Sequence, residues 1–186
     1  MAPRVRVNKE EIINASIELV RCGGESALNA RDIAARLGCS TQPLFSNFDS
    51  MEELKQEIIS AAADIYKKYI DEEMATGKYP PYKSSGLAYI RFAKEERELF
   101  KLLYMRDRNN DYTSDATPEL TGMMIGMIQA NTRLDNTTAS LLHLETWAFV
   151  HGIATMIATG YFEPDRELIE RMLSDAYLGL KSRLED

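Results

Sequence analysis

From Asn8 onward the apolar residues recur at helical spacing and almost nowhere alternate. Ile13, Ile17 and Val20 form one stripe behind Asn8, with Glu11 three residues after it, so a first helix opens there with a capping box. Arg21-Cys22-Gly23-Gly24 closes it. Asn29, with Asp32 three residues on, caps a short second helix over 30–37, and Gly38 supplies a left-handed stop. Ser40 is expected to cap a third helix over 41–47, with Pro43 in its first turn, where a missing N–H costs little. Ser50, with Glu53 at the third position, opens a long helix to about Thr76 whose inner face carries Leu54, Ile58, Ala62, Ile65 and Tyr69. Gly77-Lys78-Tyr79-Pro80-Pro81 breaks it. Helices over roughly 83–92 and 95–105 follow, then a polar surface loop over 107–115. Another helix runs from Pro118 to about Thr132; Asn136 or Thr137 opens the next, to about Gly160, and Asp165 the last, to about Leu184. Nine helices and no strand make an all-α fold.

The second and third helices, joined by a tight turn at Gly38, form a helix-turn-helix, whose second helix can enter a DNA major groove. The end of the chain has a different character. Residues 141–158 are apolar nearly all round, and the final helix carries Leu168, Ile169, Met172, Leu173, Ala176, Tyr177 and Leu180 on one stripe. Two such helices from each of two copies would close a four-helix bundle, so a homodimer through the last two helices is expected.

Residues 8–55 resemble the N-terminal domain of TetR/AcrR-type transcriptional regulators. The resemblance is carried by Arg31-Asp32-Ile33-Ala34-Ala35-Arg36-Leu37-Gly38-Cys39-Ser40, then Leu44-Phe45-Ser46-Asn47-Phe48, then Met51-Glu52-Glu53-Leu54. Residues 86–104 and Thr146-Trp147-Ala148-Phe149-Val150-His151-Gly152 look, more loosely, like the C-terminal domain of a subgroup named for a Trp…His-Gly signature. The resemblance implies a DNA-reading domain over 1–49 and a ligand-binding and dimerisation domain over 50–186. It also implies a repressor that binds a palindromic operator as a homodimer and is released by a small molecule. Thr41, Gln42, Phe45, Ser46 and Asn47 are then the recognition residues, flanked by Arg31 and by Arg4 and Arg6 of the arm. Ser40, at the start of the recognition helix, belongs to the same DNA-facing set, and Lys55 stands in for the phosphate-binding Lys that Met51 replaces. Phe45 replaces the usual Tyr and Asn47 a frequent His or Tyr, which points to weaker, more salt-tolerant binding. Physically, Gln42 can pair with adenine N6/N7 or offer a single hydrogen bond to guanine, and Thr41 suits a thymine methyl or a phosphate, while Leu44 and Phe48 are core residues.

Charge qualifies this picture. The 186 residues carry a net charge of −7, which argues against a broad positive field for nucleic acid. Residues 1–55, however, hold seven Lys/Arg against eight Asp/Glu, so the acidity lies mainly beyond them. Binding must then rely on locally placed cations and helix N-termini. Cys22 and Cys39 give neither a disulfide framework nor metal spacing and are expected as reduced core thiols. The charge-free run over 146–162 has 17 residues, short of the ~20 a membrane span needs, so the expectation is a cytoplasmic protein without membrane contact.

A Met- and aromatic-rich set supplies candidates for a largely apolar effector: Tyr66, Tyr69, Phe92, Phe100, Leu103, Tyr104, Met123, Met127, Trp147 and His151. Each is equally a plain core residue, and His151 is either a ligand-orienting group or a satisfied buried histidine. No Gly-rich phosphate loop, Cys-x-x-Cys pair or His-Glu-x-x-His is present, and His143 and His151 stand eight apart, so neither catalysis, cofactor nor metal is indicated. The remaining alternative is a helical adaptor of the same shape that has lost operator binding.

Overall fold

The computed structural model describes residues 7–106 and 118–185, with the side chains of 118 and 119 left aside. Among them are nine α-helices, one 3-10 turn at Glu25–Ala27, and no strand. The helices are α1 (Lys9–Gly23), α2 (Ala30–Arg36), α3 (Gln42–Asn47), α4 (Met51–Ala75), α5 (Pro81–Glu95), α6 (Arg97–Tyr104), α7 (Pro118–Gln129), α8 (Asn136–Ala158) and α9 (Arg166–Glu185). The expected arm residues Arg4 and Arg6, and the expected loop over 107–115, lie outside the described residues. The chain divides into two compact units, Met1–Ile65 with Glu96–Arg106, and Tyr66–Glu95 with Asp107–Asp186, and α4 contributes its first part to one and its last part to the other.

In the first unit, α1 packs against α2, α3 and α6. Ile12, Val20, Ile33, Leu44 and Phe48 are buried, as are Leu99, Phe100, Leu102 and Leu103 of α6. The local signals behave as local signals should. Asn8 accepts from the Glu11 N–H at 2.9 Å while the Glu11 carboxylate accepts from the Asn8 N–H at 2.8 Å, a complete capping box. Asn29 caps α2 by accepting from the Asp32 N–H at 3.0 Å. At the far end of α2, Gly38 takes φ +64°; its N–H donates to Ala35 O and that of Cys39 to Ala34 O, a Schellman closure. A Cβ at Gly38 would meet nothing within 4 Å, so glycine is favoured there by its backbone angle alone. Arg21 near the end of α1 donates from Nε and Nη2 to both carboxylate oxygens of Glu96, at 2.8 and 2.5 Å, fastening the entry to α6.

Two expectations fail here. Ser40 does not cap α3. The residue before the helix is Thr41, already helical at φ −70° and ψ −13°, and no side-chain cap bond forms, because that bond needs an extended residue at this place. Cys22 is exposed and not a core thiol, because it falls off the α1 stripe of Ile12, Ser16 and Val20; Cys39 is half-buried.

In the second unit α8 is central, packed against α5, α7 and α9. Its cap is Asp135, which accepts from the Thr138 N–H at 2.8 Å, one residue earlier than the sequence pattern suggests. Its 23 residues make α8 long and apolar enough, by length and composition, to cross a membrane, unlike the shorter charge-free run over 146–162 that overlaps its second half. Here Leu142, Val150, Ile153, Ala154 and Ile157 are buried against neighbouring helices, the signature of a core helix. Among the described residues, one charged residue is deeply buried in this unit. Glu73, in the last turn of α4, is 1% exposed. It pairs with Arg166 of α9, and its other oxygen lies 3.8 Å from Arg91 of α5. Arg91 also pairs with Glu72 and stacks over the Tyr69 ring at 4.6 Å, so the carboxylate sits inside a closed set of cations.

Candidate functional site

The short helix α3 has two unlike edges. Leu44 and, just past its end, Phe48 are buried and anchor it, and the Lys9 ammonium lies 4.9 Å over the Phe48 ring. Asn47 also turns inward: its amide donates to Pro43 O at 2.8 Å and to Val7 O at 3.3 Å, holding the incoming chain against α3. On the opposite edge Gln42, Phe45 and Ser46 are exposed, with Ser40 exposed and Thr41 half-buried at the entry. Phe45 is 52% exposed although it is among the most apolar side chains of this unit. The Ser46 hydroxyl donates to Gln42 O at 2.9 Å, which leaves its oxygen lone pairs facing outward as acceptors.

No charged residue lies in α3 itself. The cations around it are mostly engaged: Lys55 pairs with Glu25 at 2.6 Å, Lys9 with Glu53 at 3.6 Å, and Arg36 with Glu18 at 3.8 Å. These are exposed or half-exposed pairs, each worth roughly 0–1 kcal/mol, so a phosphate can replace the carboxylate at little cost. Arg31, in the first turn of α2, is exposed and makes no ion pair among the described residues. The start of α4 is capped by Ser50, whose oxygen accepts from the Glu53 N–H at 3.1 Å. Sequence reasoning missed Glu25 as the partner of Lys55 and Val7 as a partner of Asn47, both of which come from distant segments.

In the second unit a run of rings links α4, α5 and α8. Tyr66 lies 5.3 Å from Phe92 and 5.6 Å from Tyr89, centroid to centroid, and Tyr69 lies 5.4 Å from Phe92. The Tyr89 hydroxyl hydrogen-bonds His151 Nδ1 at 2.9 Å, and Thr155 Oγ1 stands 3.4 Å from His151 Nε2. Trp147 stacks on the His151 ring at 5.2 Å with the planes 18° apart. His151 is thus held on both ring nitrogens and one face, by residues from α5 and its own helix. Burial raises the Tyr66 phenol well above its usual value, which keeps it a neutral hydroxyl. Of the other expected residues, Met127 is half-buried and Met123 exposed on α7, while Phe100, Leu103 and Tyr104 belong to α6 in the first unit. Tyr89 and Thr155 were not singled out from the sequence. Tyr89 lies three residues before Phe92 on α5, a spacing that could have flagged it. His143 repeats the theme: it meets the Tyr82 hydroxyl at 2.9 Å, and burial holds its imidazole below the usual value.

Comparison with known proteins adds independent findings. Residues 83–176, just over half of the chain, match the family model described as Tetracyclin repressor-like, C-terminal domain. No curated protein matches the chain significantly. Among solved structures, a protein of unknown function from Rhodococcus sp. RHA1 is 16% identical, with a TM-score of 0.76 over 100% of both chains. A TetR-like transcriptional regulator from the same organism is 16% identical, with a TM-score of 0.68 over 98% of this chain and 97% of that one. A TetR variant from Acinetobacter baumannii AYE in complex with minocycline is 16% identical, with a TM-score of 0.56 over 96% of this chain and 94% of that one. At these identities the likeness is one of fold.

Proposed function

As the chain belongs to the tetracycline-repressor-like (TetR) family of transcriptional regulators, we propose that it is a ligand-responsive repressor that binds a palindromic operator as a homodimer. The observation that carries this reading is α3, a helix anchored by Leu44 and Phe48 that turns Gln42, Phe45 and Ser46 to solvent. In this reading residues 1–49 read DNA and 50–186 bind effector and pair the subunits. Gln42 offers its amide to adenine N6/N7, Thr41 and Ser46 supplement it, and Arg31 and Lys55 approach phosphates, with Arg4 and Arg6 on the arm. Asn47, its amide already engaged, serves by positioning α3.

Dimerisation is supported by apolar side chains left in solvent on the last two helices: Leu141 and Leu144 of α8 and Leu168 and Leu178 of α9, with Leu144 58% and Leu178 59% exposed. A four-helix bundle with a second copy covers them. The effector is a largely apolar small molecule met by rings of the second unit, with Tyr66, Tyr69, Phe92, Trp147 and His151 the first candidates. A similarly folded protein forms a complex with a small molecule, minocycline, which accords with an effector role for this unit. Since α4 belongs to both compact units, an effector that prefers one arrangement of the second unit shifts the population away from the DNA-competent dimer. The protein works in the cytoplasm, where its operator is.

Selection from random duplexes, followed by footprinting at physiological salt, tests the reading. A protected palindrome is expected, and a thermal-shift screen of lipophilic and cationic compounds should yield one that abolishes protection. Binding only at very low salt and without sequence preference would favour the adaptor alternative.

A further inference from the structure

We propose that Phe45 is a specificity-determining residue of the DNA interface, reading the C5-methyl group of a thymine in each half-site. The inference rests on the operator-binding reading above and names what one exposed side chain recognises there. Among the described residues of the first unit, Phe45 and Met105 are the large apolar side chains left exposed. Phe45 does not anchor the helix, because Leu44 and Phe48 do that from the buried edge. A phenyl ring has no hydrogen-bond donor and no charge, so it cannot pair with a phosphate or with a base-edge nitrogen or oxygen. In the major groove the one base-edge carbon group that offers it apolar contact is the thymine methyl.

The surroundings favour that partner. Gln42 stands three residues earlier on the same exposed face and suits adenine N6/N7. Three helical residues advance about 4.5 Å, close to one base-pair step of about 3.4 Å, so the adenine and the thymine fall on the same or neighbouring steps. No cation on α3 competes for guanine O6/N7, which leaves the helix suited to A·T pairs. Ser46, with outward lone pairs, can accept from a neighbouring adenine N6 amine.

The test uses the full-length protein and the duplex recovered by random selection. Each thymine is replaced in turn by deoxyuridine, which deletes only the methyl group, and affinity is read by fluorescence anisotropy. Wild type should weaken about 4-fold at one symmetry-related thymine per half-site, and about 15-fold when both half-sites are changed. Phe45→Ala, at an exposed position, should melt like wild type and bind the thymine and uracil duplexes alike. If wild type keeps its sequence preference but ignores every uracil, the methyl contact is wrong while operator binding stands. If Phe45→Ala remains as methyl-sensitive as wild type, another residue reads that group and the assignment fails. If no duplex is preferred at all, the underlying operator reading fails with it.

Discussion

The carboxylate of Glu73 offers a quantitative test of how the second unit is held together. Replacing it by Gln keeps the shape and removes the charge. The residue is 1% exposed, pairs with Arg166, and lies 3.8 Å from Arg91. Stripping one partner from a fully buried ion pair costs about 3–5 kcal/mol, because an uncompensated charge stays behind. Here neither cation is stranded. Arg166 keeps Glu170 at 2.8 Å and has a half-exposed side chain, and Arg91 keeps Glu72 and the Tyr69 ring. The loss is therefore that of charge-assisted hydrogen bonds, about 1.5–3 kcal/mol. For a chain of this size each kcal/mol moves the midpoint by about 2–4 °C, so Tm should fall by roughly 3–12 °C. Thermal unfolding followed by circular dichroism at fixed protomer concentration measures it. Because the Glu73 carboxylate is buried, much of the shift should persist in 0.5 M salt, about the condition that silences exposed pairs. A double-mutant cycle with Arg166→Gln should give a coupling above ~1 kcal/mol. A change in Tm below about 1 °C, or strictly additive effects, would refute the claim that these charges fasten α4 to α9.

Three further outcomes follow from other sites. Glu170 is held down to about 2, first by the Tyr79 hydroxyl and then by Arg166, so its contribution to stability is complete above its ordinary value near 4.5 and lost as pH falls towards 2. Acid titration of Glu170→Gln should accordingly show a shallower fall in Tm across that window than wild type; parallel curves would contradict the assignment. Leu144→Glu places a charge on the exposed apolar side of α8, and sedimentation at micromolar concentration should show monomer where wild type is dimer. Gln42→Ala should relax base preference at one position by about 1–3 kcal/mol, whereas Lys55→Ala should weaken all sequences alike and reduce the salt slope by about one. Identical profiles for the two variants would show that their roles are wrongly divided.

What could be read from the sequence is mostly what a few neighbouring residues decide. Asn8 with Glu11, Asn29 with Asp32 and Ser50 with Glu53 are caps closed within one turn, and all three form. Gly38 ends α2 because one backbone angle demands it. Position 40 shows the limit of that reasoning: Ser40 has the right chemistry for a cap, but the chain enters α3 already helical at Thr41. The larger gaps are long-range pairings. Asn47 bonds to Val7 O, 40 residues away, and Lys55 meets Glu25; neither partner is signalled by spacing. Glu73 looks like one more solvated acid in the Asp71-Glu72-Glu73 run until Arg91 and Arg166 converge on it from other helices. His151 could be read from sequence as ligand group or core residue; its bond to Tyr89 depends on how α5 lies along α8, whereas Thr155 stands one turn on in its own helix. The helical fold was legible because caps and breakers bound each segment and periodicity marks most of them; side-chain partners were not, because tertiary packing chooses them.

The central claim is that two copies of α3 read successive major grooves of one duplex. Hydroxyl-radical footprinting of the selected operator, combined with the mass of the complex in solution, measures this directly. The account predicts two protomers on one duplex, with half-site centres one helical turn apart, about 10–10.5 base pairs or a whole multiple of it. A single protomer per site, or protection that does not repeat with the helical turn, would contradict it.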